Sequence, residues 1–477
     1  MSPTIRQGVL LCAALSVCVV LAVPGTFPGL GGPARITLAV FTLATCAWIG
    51  TRVDETYVAL GAALALTATG VISSDDLFGT LGDSTVWLLI CAFVLAAAVS
   101  RTGLAGRAAA FLVSGARSVR QLVHLTTAAL VVTAFAVPAT SGRAALALPV
   151  FLALAKVLTD RKRLVVMLSL LFPAVILLSA VATLIGAGAH LITVSVLWEG
   201  SGQRIGFTEW LLLGLPLAVV SSHLAAEAVL LTTTRREDRR GPVAVTAEQI
   251  QEHSDKPVTG PLAPAEARCA LLMFTVVLLW CSEPLHGVPP AVTALIGAVV
   301  ASSPALGTVR LKEALGTVPW PLLLFMAATM AMGIALADSG AAAWLVSGLP
   351  GGGAAPPWLF LAVVIAVSTA AHLVLQSRSA RSSVLVPLVV AAAATAGVNP
   401  VAAALASTAA AGFCHTLPAS AKPVTLFAGI SGTPTFQPRD LLRLSAVLAP
   451  VTAAVVLLFA LAVWPLLGVP VLSPVSP

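Results

Sequence analysis

The stretch HLVLQSRSARSSVLVPLVV, residues 372 to 390, places Arg378 and Arg381 inside a segment that is otherwise almost wholly apolar. A second stretch, VPATSGRAALALPVFLAL (137 to 154), repeats the arrangement, because Arg143 stands six residues before a proline just as Arg381 does. A charged side chain at the centre of a bilayer costs about 2.5–3.5 kcal/mol on insertion scales, so membrane proteins keep such residues for a function. The two stretches therefore point to a functional use of buried arginine.

Composition identifies the chain as a helical membrane protein. Of its 477 residues, 58% are hydrophobic and 9% are charged, whereas a soluble protein has about a quarter of its residues charged. The seven cysteines are scattered through apolar runs without a C-x-x-C pair, so we expect neither a zinc site nor a disulfide scaffold. No metal ligands and no cofactor are predicted.

Hydropathy predicts about 11 transmembrane helices plus two re-entrant hairpins, since a helix needs roughly 20 mainly apolar residues to cross a bilayer. The segments 121–158 and 356–396 are each too long for one crossing and are divided by an arginine stretch, so both are interpreted as hairpins. The first apolar segment, 8–23, resembles a signal peptide but lacks a small-x-small cleavage site. We interpret it as an uncleaved span.

The two halves of the chain repeat. STVWLLICAFVLAAAVSRTGLAGRAAAFLVSG (84 to 115) matches VPWPLLLFMAATMAMGIALADSGAAAWLVSG (318 to 348), since each begins near a tryptophan and closes in LVSG. Such duplication is typical of secondary transporters, whose substrate site lies where the repeats meet. With a cytoplasmic N-terminus and hairpins entering from opposite sides, most Lys and Arg residues fall on the cytoplasmic side, and the repeat is inverted. Basic residues at segment ends also argue against nucleic-acid binding.

These observations predict an all-α polytopic membrane protein in five parts. The Ala- and Arg-rich composition is typical of a high-GC bacterium, which favours the plasma membrane and its lipid bilayer as the location. We expect N-terminal scaffold helices at 1–120, a first transport-domain half at 121–233, a cytoplasmic connector at 234–266, a second scaffold half at 267–350 and a second transport-domain half at 356–468.

Each hairpin tip is predicted to present a helix N-terminus to an anion. One returning half-helix begins at ATSGR (139 to 143), with its Thr or Ser as the cap, and the other begins at SRSAR (377 to 381). The free N–H groups there carry partial positive charge, and the guanidinium fork suits carboxylate, phosphonate or sulfate oxygens. The predicted anion-binding residues at the tips are Thr140, Ser141, Gly142, Arg143, Ser377, Arg378, Ser379 and Arg381.

Two further segments mark the helix breaks that follow the hairpins. GAGAH (186 to 190) ends in His190, and PASAKP (418 to 423) carries Ser420 and Lys422. A Lys within an apolar span is rarely a filler residue, so these three side chains join the predicted substrate site.

An alternative for each arginine is neutralisation inside the protein by an acid or by carbonyl groups. Acids at membrane depth are scarce, with Glu227 and Asp338 as the candidates. One structural ion pair is therefore credible but not several, and Arg378 could also extend away from the site. Three other histidines are interpreted as structural: His223, His372 and His415.

The spacing of these motifs resembles that of the divalent anion:sodium symporters, within the wider ion transporter superfamily, over residues 36–467. Members of that family carry Ser-Asn-Thr at each hairpin tip, ten residues before a proline, and this triplet falls here on residues 139–141 and 377–379. The Thr-Pro-Pro-Asn breaks of the family fall on residues 187–190 and 421–424.

The resemblance implies substrates such as dicarboxylates, citrate or sulfate, a homodimer, and an elevator movement of the hairpin-bearing domain against the scaffold. Asparagines at the tips and breaks help to coordinate sodium in the family, so their replacement puts sodium coupling in question. An arginine shortly after each triplet is similar to the exchanger branch, such as the plastid dicarboxylate translocators. The replacing residues are Thr140, Arg378, His190 and Val424.

The predicted function is secondary active transport of small organic or inorganic anions, dicarboxylate-like, by sodium-independent exchange or with proton uptake at His190 or elsewhere. Fixed cations at Arg143, Arg381 and Lys422 would replace the sodium charges. Two alternatives remain: an efflux carrier for metalloid or drug anions, and a non-transporting membrane receptor or structural protein. Enzyme motifs such as H-E-x-x-H and the P-loop are missing from the sequence, so no enzyme is expected.

Overall fold

The computed structural model describes residues 27–254, 256–347 and 356–473, together with Ser16 and Val23, and these residues form helices without a β-strand. The predicted first span at 8–23 lies almost wholly outside the described residues. Nine helical stretches in the described part of the chain are long and apolar enough to cross a membrane. The architecture agrees with the predicted all-α polytopic membrane protein.

The principal helices are listed in chain order. They are α1 (Gly32–Gly50), α2 (Glu55–Ala68), α3 (Ser84–Thr102), α4 (Leu104–Val113), α5 (Val119–Ala136), α6 (Thr140–Val157), α7 (Lys162–Leu178), α8 (Gly188–Ser201), α9 (Phe207–Thr233), α10 (Pro264–Cys281), α11 (Pro290–Ser302), α12 (Trp320–Asp338), α13 (Pro357–Ala370), α14 (Arg378–Thr395), α15 (Pro400–Ala410), α16 (Lys422–Phe427) and α17 (Pro438–Leu458). Shorter α-helical segments lie at Ser74–Gly79, Arg236–Arg240, Ala247–Glu252, Glu283–His286, Leu311–Gly316, Ala341–Ser347 and Trp464–Leu466.

Helices α5 and α6 form the first hairpin, joined by residues 137–139. The guanidinium group of Arg143 on α6 donates to the Thr133 hydroxyl and the Leu130 carbonyl on α5, at 3.0 and 2.6 Å, so the two helices run side by side in opposite directions. The second hairpin consists of α13 and α14, joined through a 3₁₀ turn at Ala371–Leu373.

The two hairpin tips are capped differently. The Ser377 hydroxyl accepts from the Ala380 N–H at 3.3 Å and caps α14. The predicted cap of α6 by Thr140 or Ser141 is wrong, because Thr140 is already the first helical residue and Ala139 occupies the cap position without a side-chain hydrogen bond. Ala139 has φ of 68°, the one positive value at a non-glycine residue in the described ranges, and such backbone strain costs about 1–3 kcal/mol.

Both predicted helix breaks are present. Helix α7 ends at Leu178 and passes through two 3₁₀ turns, Ser179–Ala182 and Leu184–Gly186, before α8 begins; we call residues 179–187 the first break. Helix α15 ends at Ala410 and α16 begins at Lys422; we call residues 411–421 the second break.

The halves interlock around these breaks as an inverted repeat requires. Helix α6 of the first hairpin contacts α7 of its own half and α16 of the other half, and α14 of the second hairpin contacts α15 of its own half and α8 of the other. Each hairpin therefore packs against both halves of the molecule. This arrangement brings the N-terminal turns of α6 and α14 to the two breaks.

Helix α9 packs closely on the first break because Gly214 has no side chain. A β-carbon at Gly214 would lie 2.2 Å from the carbonyl oxygen of Val181. One helical turn earlier, the indole N–H of Trp210 donates to that same carbonyl at 3.0 Å. The close approach thus lets α9 satisfy a backbone group that the broken helix leaves without an intrahelical partner.

We expect Gly214→Ala to lower the melting temperature of the purified protein in detergent, because the added methyl group must displace α9 or the first break. Overpacking of this kind costs about 1–3 kcal/mol. The matched control is Gly61→Ala in α2, where a β-carbon meets nothing within 4 Å. That change should leave the melting temperature unchanged or raise it, since alanine is the better helix former. Equal melting temperatures for the two variants would contradict the close approach.

Candidate anion-binding site

The guanidinium group of Arg143 binds to the C-terminal end of α7. It is fully buried, and it donates to the Ile176 carbonyl at 3.0 Å and to the Ser179 hydroxyl at 2.7 Å, besides its two bonds to α5. The end of a helix carries partial negative charge and unpaired carbonyls, which a cation stabilises. All three nitrogens of this arginine are therefore satisfied by neutral groups of the protein.

Arg378 reaches the same helix end from the second hairpin. Its Nη1 donates to the Leu177 carbonyl at 3.3 Å, and its Nη2 lies 3.2 Å from Nε2 of His190. A β-carbon at Gly412 would lie 2.8 Å from Nη2 of Arg378, so this glycine leaves room for the side chain. Arg378 therefore lies between the first break and the second.

The contacts of His190 fix its protonation state. Arg378 can only donate, so Nε2 of His190 must be the acceptor, and the proton of the neutral ring lies on Nδ1. Nδ1 then donates to the Thr183 carbonyl at 3.0 Å. The ring is fully buried and packs on the indole of Trp210, with centroids 4.9 Å apart. Proton uptake at Nε2 would break the contact with Arg378.

Arg381 differs from its counterpart Arg143. It is fully buried in the first turn of α14, and none of its three guanidinium nitrogens has a hydrogen-bond partner among the described residues. No ion pair in those residues involves either arginine or Arg378, and Glu227 pairs with Arg120 instead. Of the alternatives to anion binding, pairing with carbonyl groups is met at Arg143, whereas pairing with an acid is met at none of these three arginines among the described residues.

Unpartnered polar atoms concentrate around Arg381. Seven of the eleven buried side-chain nitrogen and oxygen atoms without a partner in the described ranges belong to five residues near the second break. Three of these five residues, Arg378, Arg381 and Ser382, lie on α14. Arg381 and Ser382 follow Arg378 by three and four residues, the spacing that places side chains on the same face of a helix. The charge of Arg381 also acts on His415. We call the five residues the second-break cluster: Thr369, Arg378, Arg381, Ser382 and His415.

The structure gives the other predicted site residues varied surroundings. The hydroxyl of Ser420 accepts from the Leu417 N–H at 3.0 Å, and Ser379 is buried beside Gly188. Lys422 is exposed at the start of α16 and is not brought into the second-break cluster. Three residues of the first tip are half-buried or exposed, without a side-chain hydrogen bond in the described part of the chain: Thr140, Ser141 and Gly142.

Sequence reasoning did not select His415, Thr369 or Ser382. His415 stands in the second break, three residues before PASAKP (418 to 423). This position next to a predicted helix break could have identified it as a candidate site residue. A histidine beside a helix break in a membrane is a candidate for contact with substrate or ion.

Comparisons with known proteins agree with this architecture. A citrate transporter family profile, CitMHS, matches residues 45–410. A "Membrane protein" of Cupriavidus necator H16 is 27% identical over 98% of this chain and 93% of its own length. The putative malate transporter YflS of Bacillus subtilis 168 is 23% identical over 63% of this chain and 64% of its own length.

Among solved structures, the YdaH transporter of Alcanivorax borkumensis has the same fold. The TM-score is 0.50 at 17% identity, over 93% of this chain and 100% of that chain. These relatives favour neither an efflux carrier nor a receptor, and they confirm the predicted kinship within the ion transporter superfamily. The family profile spans more than half of the chain, which therefore belongs to the citrate transporter family and is a secondary transporter of small anions.

Proposed function

We propose that the protein carries di- or tricarboxylate anions without sodium and that Arg381 holds a carboxylate of the substrate. The observation that carries this proposal is the contrast between two arginines in equivalent positions. Arg143 has four hydrogen bonds to the protein, whereas Arg381 is equally buried and has none in the described residues. A buried guanidinium without an acid is costly until an anion arrives.

The first break supports the absence of a sodium requirement. In transporters with broken helices, carbonyls at half-helix ends coordinate sodium. Here the two carbonyls at the end of α7, Ile176 and Leu177, accept from Arg143 and Arg378. A cation that cannot dissociate thus occupies the place where a metal ion would otherwise supply positive charge.

The geometry of the second-break cluster favours a carboxylate ligand. A guanidinium fork binds the two oxygens of a carboxylate side by side, and Arg378 adds an unpartnered Nε–H. The named relatives, a citrate transporter family and a putative malate transporter, agree with a substrate that has two or three carboxylates.

Movement of the substrate belongs to the same proposal. Because Arg381 is fully buried, a substrate reaches it only when the second hairpin moves relative to the second break. We propose an elevator movement of the hairpin-bearing domain in a homodimer, in the plasma membrane with a cytoplasmic N-terminus. The remaining predicted residues are proposed to contact the substrate in other states of this cycle: Thr140, Ser141, Gly142, Arg143, Ser377, Ser379, His190, Ser420 and Lys422.

The two arginines should respond oppositely to replacement by methionine. Arg143→Met removes four hydrogen bonds from a charged donor, including the one to the Ile176 carbonyl at the end of α7. A hydrogen bond to a charged group contributes about 1.5–3 kcal/mol, so the melting temperature of the ligand-free protein should fall. Arg381→Met removes a buried unpaired charge, so the ligand-free protein should be as stable as wild type or more stable. It should also lose the rise in melting temperature that citrate or malate produces in wild type. Thermal unfolding with and without each anion measures both effects, and the reverse order would contradict the assignment.

Uptake of radiolabelled citrate or malate into proteoliposomes should persist when choline replaces sodium. It should rise several-fold when the vesicles are preloaded with the unlabelled anion, because an empty carrier with an uncompensated arginine reorients slowly. Arg381→Met vesicles provide the matched control and should show only leakage. A strict sodium requirement, or equal rates in empty and preloaded vesicles at matched proton gradients, would defeat the proposed mechanism.

A further inference from the structure

We infer that His415 is a second anion-contacting residue, which donates its Nε2–H to a substrate oxygen beside Arg381. The inference rests on the proposed function of Arg381 and deepens it. It assigns a substrate-binding role to a histidine that sequence reasoning interpreted as structural.

His415 is held inside the second break with one nitrogen unused. Its side chain is 1% exposed, and its ring lies 5.2 Å from that of Phe413, centroid to centroid. The Nε2 atom has no hydrogen-bond partner in the described ranges. A buried polar atom without a partner carries a desolvation cost that a ligand can remove.

Hydrogen bonding places the proton of His415 on this free nitrogen. The backbone N–H of Cys414 donates to Nδ1 at 3.4 Å, so in the neutral ring Nδ1 is the acceptor and Nε2 carries the hydrogen. His372 and Arg381 are the titratable and charged groups close to the ring, and the backbone carbonyls of Pro173 and Ala174 face it as well. Neither carbonyl meets hydrogen-bond geometry with Nε2, so this N–H has no acceptor among the described residues.

His372, by contrast, has both ring nitrogens engaged. The Nδ1–H donates to the Thr369 carbonyl at 2.5 Å, and Nε2 accepts from the Thr416 hydroxyl at 2.7 Å. Thr416 is held in turn by the Ser445 hydroxyl, also at 2.7 Å. His372 is therefore a positioning residue that anchors the tip of the second hairpin, and His415 is the histidine with a free donor.

The second-break cluster thus presents mainly donors to its ligand. Arg381 and Arg378 only donate, His415 donates through Nε2, and the hydroxyls of Thr369 and Ser382 can do either. Such a set selects a ligand rich in acceptor oxygens, so an ionised second carboxylate is preferred to a neutral acid or ester. The geometry points to a site that distinguishes a dianion from a monoanion of similar size.

The test compares His415→Leu with His415→Gln in the purified full-length protein, with malate and its monomethyl esters as probes. Glutamine keeps an N–H at the reach of Nε2, whereas leucine keeps only the bulk. The leucine variant should bind malate at least about tenfold more weakly, as expected for loss of about 1.4 kcal/mol, and should bind the esters almost as wild type does. The glutamine variant should stay within about threefold of wild type for both.

Two control variants, Thr126→Val and Arg381→Met, distinguish anion contact by His415 from a purely structural role of this residue and from failure of the proposed function. Thr126→Val removes another buried, unpartnered hydroxyl that is not a member of the cluster and lies in the wall of an apolar pocket between α5, α6 and Phe172. This change should leave malate affinity unchanged. Wild-type affinity in His415→Leu would overturn the role of His415, as would an equal loss for malate and its esters. Malate binding that survives Arg381→Met would instead overturn the proposed function.

Discussion

The structure depends on the contact between the Arg143 guanidinium group and the end of α7. A helix that stops inside a membrane leaves carbonyls that neither water nor lipid can satisfy, and at this end two of those carbonyls, Ile176 and Leu177, accept from arginines of the two hairpins. These two hydrogen bonds allow α7 to end inside the protein, where the first break begins. The same contact places a permanent positive charge at the centre of the molecule, next to Arg378.

The two halves share a topology but have divided their tasks. The first break is closed by side chains of the protein itself, with His190 and Arg378 joined at 3.2 Å. The second break contains the matching arginine, yet Arg381 lacks partners within the described residues and His415 offers a further free donor. The inverted repeat thus contains one buried arginine that is hydrogen-bonded within the protein and another without partners in the described residues, where we propose that the anion binds.

The sequence predicted the hairpins, the breaks and the buried arginines because hydropathy, proline spacing and internal repetition are visible in one dimension. It could not distinguish Arg143 from Arg381, since both stand six residues before a proline and only packing decides which one meets carbonyl groups. The cap position at Ala139 was not predicted, because nothing about an alanine side chain indicates that its backbone will adopt a positive φ. His415 was passed over because a single histidine does not reveal which of its nitrogens remains free.

An arginine that stays in the binding site restricts which ions can be coupled to transport. Sodium leaves the site with the substrate, so an empty sodium-coupled carrier returns nearly uncharged, whereas Arg381 stays behind as an unpaired charge that is costly to move through a low-dielectric barrier. Adding a proton to the empty site would increase that charge, so protons can assist only while the anion is bound. His190 is poorly suited to carry such a proton, because Nε2, its one unprotonated nitrogen, accepts a hydrogen bond from Arg378. Under the proposed mechanism we therefore expect any proton that accompanies transport to travel on the substrate or on a group beside it, and return of the empty carrier to be the slow step.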